Sequence, residues 1–210
     1  MSEITSITPQ IKDKTRCNIY LDGRFYCGLK FEVVVQNRLK VGMSVTEKYM
    51  NDIQLDSEKA EALDKTFTFI TATAKTEKQI RDYLYKKGYL PAVVKYVLEK
   101  MRDYKYVDDL DYAQTYVENV GARKGKRAIK VDLFKKGVSK EDIESALENL
   151  QEEDQQSAAA EILNKYMRSK ELTRENFAKA FRYLMGKGFD YETARTALKK
   201  FGELDDEGES

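Results

Sequence analysis

The sequence predicts a mainly α fold: three tandem three-helix repeats forming an elongated curved array, with a small N-terminal β-hairpin region. Three observations carry this expectation. Apolar residues fall at helical spacing from Ser57 onward, the chain resembles itself about every fifty residues, and the first fifty residues instead hold β-prone runs around an Asp-Gly pair. The expected organisation is a hairpin extension over 1–55, repeats over 56–103, 104–152 and 153–202, and an acidic tail over 203–210.

The hairpin is read from residues 16–29, where two runs rich in aromatic and branched residues flank Asp22-Gly23. Asp-Gly suits a two-residue type I′ turn, because both central residues need positive φ. An uninterrupted register from that turn places residue 18 opposite 27 and residue 17 opposite 28. Cys17 and Cys27 are then expected on opposite faces, as free, ordinary thiols. Phe31 to Val35 and the stretch around Leu39 to Gly42 read either as more of a small sheet or as a short helix and turn.

The repeats rest on three segments that align without gaps: Leu84-Tyr85-Lys86-Lys87-Gly88, Leu133-Phe134-Lys135-Lys136-Gly137 and Leu184-Met185-Gly186-Lys187-Gly188, whose last glycines stand 49 and 51 residues apart. Each such glycine is expected to end a helix in a left-handed conformation, with a lysine before it at the negative end of the helix dipole. Eight residues upstream lie Ile80, Ile129 and Ala180. Downstream lie Val94, Val97 and Leu98, then Ile143, Ala146 and Leu147, then Ala194, Ala197 and Leu198, all at core spacing. Leu90 followed by Pro91, Ser139 and Asp190 stand where a second helix begins, and Thr76 with Gln79 forms a capping-box pattern ahead of the first pair. One more helix precedes each pair, through Leu63, Phe67, Ile70 and Ala74, through Leu110, Ala113, Val117 and Val120, and through Ala159, Ile162, Leu163 and Tyr166. A single helix of about twelve residues does not persist alone in water, whereas three enclose a core. The tail carries five carboxylates in its eight residues and no apolar spacing, and reads as solvated.

Composition excludes several function classes. Hydrophobic residues make up 41% and charged residues 35%, no apolar run has the length of a membrane span, and the N-terminus lacks the order of a secretory signal, so a cytoplasmic, non-membrane protein is expected. The absence of histidine removes histidine-dependent triads, zinc sites and pH switches. Two cysteines are too few for a metal cage, and neither a phosphate-binding P-loop nor G-x-S-x-G is present. Asp108, Asp109 and Asp111 read as a helix start, where carboxylates cap amides and oppose the positive dipole end, rather than as a cation site. No catalytic residue, metal or cofactor is expected, and the chain is read as a non-enzyme.

Basic residues are the informative set, because 37 cations against 36 carboxylates leave attraction to any anion to local patches. Arg123, Lys124, Lys126 and Arg127 surround Gly125 at a helix junction, Lys130 follows one turn later, and Lys135 and Lys136 end that helix. With Gly125 permitting close backbone approach and the helix amides facing outward, this reads as a phosphate or carboxylate site. The first repeat offers Lys78, Arg81, Lys86 and Lys87 in parallel, and the third Lys179, Arg182 and Lys187. Tyr83, Tyr85, Tyr89 and Tyr96 are candidates for base stacking, ranked below ordinary packing.

Residues 106–117, with Tyr106-Val107-Asp108-Asp109 and Ala113, followed by Gly125 and Leu133 to Val138, resemble the signature of the RecX family, regulators of the RecA recombinase. The segment from Tyr183 to Glu192 is similar to that family's C-terminal repeat, and the hairpin to its β extension. The resemblance implies a negative regulator that lies on the RecA–single-stranded DNA filament and inhibits its extension, ATP hydrolysis and strand exchange; a monomer is expected separately, because no apolar helix face is spare once three cores are assigned. On this reading the RecA or DNA contacts are Arg81, Lys86, Lys87, Arg123, Lys124, Lys126, Arg127, Lys130, Lys135 and Lys136. Thr71 to Lys75 leaves a single cation where many relatives carry arginines. The rival readings are a stand-alone DNA-binding helical module and a helical protein-interaction scaffold.

Overall fold

The computed structural model describes residues 1–206, with side chains through 202. Four strands and ten helices lie among these described residues. They form two compact units, one of Met1–Thr73 with Ile80–Tyr104, the other of Ala74–Gln79 with the chain from Lys105 on.

The first unit begins with a four-stranded antiparallel sheet of order β3-β2-β1-β4, built from β1 (Ser2–Pro9), β2 (Arg16–Leu21), β3 (Arg24–Lys30) and β4 (Ser44–Val45). The expected hairpin is β2–β3, and its turn has φ of 49° at Asp22 and 77° at Gly23. The register differs from the expected one. Leu21 pairs with Arg24 and Tyr20 with Phe25, but Ile19 then pairs with Cys27 and Cys17 with Leu29, because Tyr26 is an extra residue on β3. Such a bulge slips the strand by one position and reverses every later side chain. Cys17 and Cys27 therefore share the buried face with Ile19, Leu21 and Leu29, rather than facing apart. Both are free, and burial pushes the Cys27 thiol up to about 11. Strands β1 and β4 escaped the sequence reading: β1 is largely polar, with only Ile4 fully buried, and β4 is two residues long.

The ambiguous stretch resolves as a short helix, α1 (Phe31–Gln36), followed by a turn into β4. Helix α2 (Glu47–Thr71) starts well before Ser57, with Thr46 Oγ1 accepting from the Tyr49 amide at 3.2 Å. Its first half lays Met50 and Ile53 on the sheet. Its second half buries Ala62 and Thr66 and packs against α4 (Pro91–Asp103). Leu63, Phe67 and Ile70 are half-buried, while the expected core residue Ala74 lies beyond the helix and is exposed. The physical reason is a helix serving two cores, which rotates its buried stripe away from the one a lone repeat would need. Helix α3 (Glu77–Lys86) completes the first repeat, with Ile80 and Leu84 fully buried.

The second unit carries α5 (Asp109–Val120), α6 (Lys126–Lys136) and α7 (Lys140–Glu148), then α8 (Glu152–Met167), α9 (Arg174–Gly186) and α10 (Tyr191–Asp206). Ala113, Val117, Ile129, Leu133, Ile143, Ala146 and Leu147 share one core, and Ala159, Leu163, Ala180, Leu184, Ala194 and Ala197 another, with Leu198 at its edge. The repeated glycines behave as their spacing predicts: φ is 88° at Gly88, 90° at Gly137 and 92° at Gly188. Ser139 Oγ accepts from Asp142 N at 3.0 Å and Asp190 Oδ1 from Thr193 N at 2.7 Å, so both cap their helices. The acidic tail does not begin as coil, since the backbone of residues 203–206 continues α10. Residues 207–210 lie outside the described residues.

Candidate interaction site

The cation run around Gly125 is organised by a contact that recurs within the second unit. The Gly125 amide donates to Lys187 O at 3.0 Å, and the Arg127 amide donates to Gly188 O at 3.1 Å. Between them, the Lys126 amide donates to Gln155 Oε1 at 2.9 Å. The start of α3 meets the second repeat in the same way. Thr76 Oγ1 donates to Lys136 O at 2.6 Å and the Glu77 amide to Asp109 Oδ1 at 2.9 Å. A side chain from helix one of the following repeat thus caps helix two of the preceding one, and the left-handed glycine turn receives it. The capping box is present as well, with Thr76 N–H to Gln79 at 3.0 Å and Gln79 N–H to Thr76 at 3.3 Å.

This overturns one expectation. The amides at the start of α6 do not face outward for a phosphate; they are spent on the third repeat. Gly125 does permit a close backbone approach, but to Gly188, since a Cβ on Gly125 would lie 2.1 Å from the Gly188 carbonyl carbon. The anion nest is closed because an unpaired amide at a buried junction costs more than one satisfied inside the fold.

The cations of the run separate in space. Lys124 turns back to Asp132 at 2.5 Å, where the Tyr116 hydroxyl also donates at 3.0 Å, and these hydrogen bonds hold the Asp132 carboxyl below its ordinary range. Lys136 is half-buried, with its ammonium 5.6 Å from the Tyr116 ring centre. Lys126 is also half-buried. Arg123, Arg127, Lys130 and Lys135 are exposed, with Lys130 only 3.8 Å from Glu144. Arg81, Lys86 and Lys87 belong to the other unit: Lys86 and Lys87 are exposed, Arg81 is half-buried, and the Lys87 ammonium stands 5.6 Å from the Tyr83 ring.

On α6 the exposed cations share a stripe with apolar side chains. Arg127, Lys130, Val131 and Phe134 follow one another at helical spacing, with Val131 51% and Phe134 73% exposed, while Ile129 and Leu133 fill the core behind them. The helix is apolar on both sides. A solvent-facing phenyl group flanked by guanidinium and ammonium groups has the make-up of a protein-contact surface. Sequence reasoning singled out the cations and missed Val131 and Phe134, because spacing places them one helical turn from Arg127 and Lys130 without saying whether they face core or solvent.

Other candidates resolve structurally. Asp108 caps α5, its Oδ1 accepting from Leu110 N and Asp111 N at 3.0 Å each. Among the described residues no group of acidic and thiol side chains is placed to hold a metal. Tyr83 stacks on Phe69 at 4.2 Å between ring centres, and Tyr96 lies under Lys59 at 5.1 Å, which is packing rather than an open platform. No described helix is long and apolar enough to cross a membrane.

Comparison with known proteins agrees with this architecture along the chain. The RecX N-terminal domain matches residues 2–46, and the first, second and third RecX three-helix domains match residues 62–101, 108–147 and 152–198. A regulatory protein RecX of Listeria welshimeri is 30% identical over 208 residues, 97% of this chain and 77% of its own length. The chain belongs to the RecX family. A RecX of Clostridium tetani is 28% identical, covering 95% of this chain and 94% of that protein. A crystal structure of a regulatory protein RecX superposes with a TM-score of 0.72 at 28% identity, over 95% of this chain and all of that one. The RecX from Lactobacillus salivarius shares the fold at a TM-score of 0.63, with 22% identity over 68% of this chain and 96% of that one. A regulatory role comes with that membership.

Proposed function

We propose that this protein is a negative regulator of RecA that binds the RecA–single-stranded DNA filament and restrains its extension, ATP hydrolysis and strand exchange. The observation that supports this reading is the stripe on α6, where Phe134 and Val131 stand in solvent between Arg127, Lys130 and Lys135. A phenyl group exposed beside cations and a second apolar side chain suits a partner with an apolar recess and carboxylates, as an acidic protein surface provides. Regulation then follows from differential binding: a ligand that prefers a filament state which grows or hydrolyses poorly draws the population toward it. Arg81 in the middle of α3, Lys86 and Lys87 at its end, and Arg123 at the α5–α6 corner are further contacts in this reading. Lys124, Lys126 and Lys136 contribute through the fold that positions the stripe.

The test is RecA ATP hydrolysis on single-stranded DNA with this protein titrated well below the DNA concentration and excess DNA added as a control. Inhibition at low ratios that added DNA does not relieve is the expected result. No inhibition, or inhibition erased by added DNA, overturns the reading in favour of a DNA-binding or scaffold module.

A further inference from the structure

The three repeats share a corner in which a lysine faces an aromatic ring, and in the third that corner borders a groove lined by cations. In each repeat the lysine before the left-handed glycine lies over a ring: Lys87 over Tyr83, Lys136 over Tyr112 and Tyr116, Lys187 over Tyr183. In the second repeat the position aligned with Tyr83 and Tyr183 is Asp132, whose carboxylate already neutralises Lys124. In the third, Tyr183 stacks on Tyr166 at 4.4 Å with an interplanar angle of 20°. Lys187 stands 5.2 Å from the Tyr183 ring centre and Lys170 3.5 Å from that of Tyr166, so the two tyrosines stack with an ammonium over each.

This stack borders a groove of about 470 Å³ between the C-terminal ends of α8 and α9 and the α5–α6 corner, all within the second unit. Arg123 enters it from the corner, Lys165 and Lys170 from α8 and its end, and Lys187 from α9, with the Ser169 hydroxyl beside them and no carboxylate among its described lining residues. Lys165 reaches Glu161 at 3.4 Å, whereas Arg123 has no ion-pair partner among the described residues. Four cations, two of them held over rings and Lys170 also donating to the Tyr166 carbonyl, form with one hydroxyl a receptor for phosphate oxygens.

We infer that this groove binds the phosphodiester backbone of single-stranded nucleic acid, with the bases turned outward. The ring faces are occupied by each other and by Lys170 and Lys187, so base stacking is not on offer and recognition is by charge alone. The inference deepens the filament reading by giving its nucleic acid a site distinct from the α6 stripe, and its test contains no RecA, so each can fail without the other.

The experiment is fluorescence anisotropy of the full chain with a labelled oligodeoxythymidine across a salt series. The double variant Arg123→Glu/Lys187→Glu is expected to bind about tenfold or more weaker, and to flatten the slope of log K against log salt by about 1.4, two phosphate contacts at about 0.7 each. Arg123→Gln/Lys187→Gln, milder for folding, moves both in the same direction. Lys95→Glu/Lys140→Glu carries the same charge change elsewhere and leaves binding near wild type; equal weakening by both pairs overturns the site. An abasic strand of equal length binds as tightly as oligodeoxythymidine, and a strong preference for the strand with bases overturns the backbone mode. A glutamate-rich peptide of matched charge that displaces the strand at lower concentration than unlabelled DNA assigns the groove to a protein instead, and overturns the inference.

Discussion

Replacing Gly125 by alanine tests the contact that joins the second repeat to the third. Gly125 has φ of −72°, open to any residue, so the substitution carries no left-handed penalty and reports on packing alone. The added Cβ would stand 2.1 Å from both Gly188 C and Phe189 N and 2.2 Å from Gly188 O. All three are backbone atoms, so no side chain can swing aside. Separation breaks the Gly125–Lys187 and Arg127–Gly188 hydrogen bonds, about 1 kcal/mol each, and forced overpacking adds about 1–3 kcal/mol. The expected loss is about 3–5 kcal/mol, a fall in melting temperature of about 6–20 °C for a chain of this length. Gly88→Ala is the internal control. Its φ is 88° with nothing within 4 Å of the added Cβ, so it loses only the left-handed preference, about 1–2 kcal/mol. Thermal and urea unfolding followed by circular dichroism read both variants. A Gly125→Ala protein as stable as Gly88→Ala would refute backbone-to-backbone docking of these repeats.

Further expectations concern the stripe, the caps and the buried thiol. Phe134→Ala melts within about 0.5 kcal/mol of the parent, because the ring is 73% exposed, yet inhibits RecA ATP hydrolysis about tenfold less well; unchanged inhibition removes Phe134 from the contact. Asp109→Ala costs about 1 kcal/mol through loss of the Glu77 cap, measured by urea unfolding, while Asp109→Asn keeps an acceptor and costs less. Burial pushes the Asp109 carboxyl up, against the pull of the Glu77 amide, so the native state holds that proton more tightly than the unfolded chain. Ionisation of Asp109 therefore subtracts stability as pH rises through the carboxylate range, and Asp109→Asn removes that decline; an identical pH profile for the two proteins contradicts it. Burial likewise lifts Cys27 from 9.0 to about 11, so its contribution is intact below pH 9 and is lost as pH rises through 11. A thiol reagent at neutral pH should modify neither cysteine until urea is added, and rapid labelling of the native protein would contradict their burial.

The three-helix repeats, their glycine stops and their cores, the first helix of the first repeat apart, were legible in the sequence because helix endings are local chemistry. A left-handed glycine, an Asp or Ser cap and apolar spacing act within one or two turns, and Gly88, Gly137 and Gly188 announce them at nearly constant spacing. The candidate surface was half legible. Charge marked Arg127 and Lys130, but whether Phe134 is core or surface depends on the rotation of α6 against its neighbours.

Tertiary structure decided what local pattern leaves open. One extra residue at Tyr26 put both cysteines on a single face, because strand pairing is settled by the sheet as a whole. The long α2 drew its buried stripe from two cores at once. The sequence placed at Gly125 a residue that permits a close backbone approach; only the fold decided that the approaching atoms are those of Gly188 rather than of a ligand. A glycine permits close approach without requiring it, and what fills the space is a matter of long-range packing.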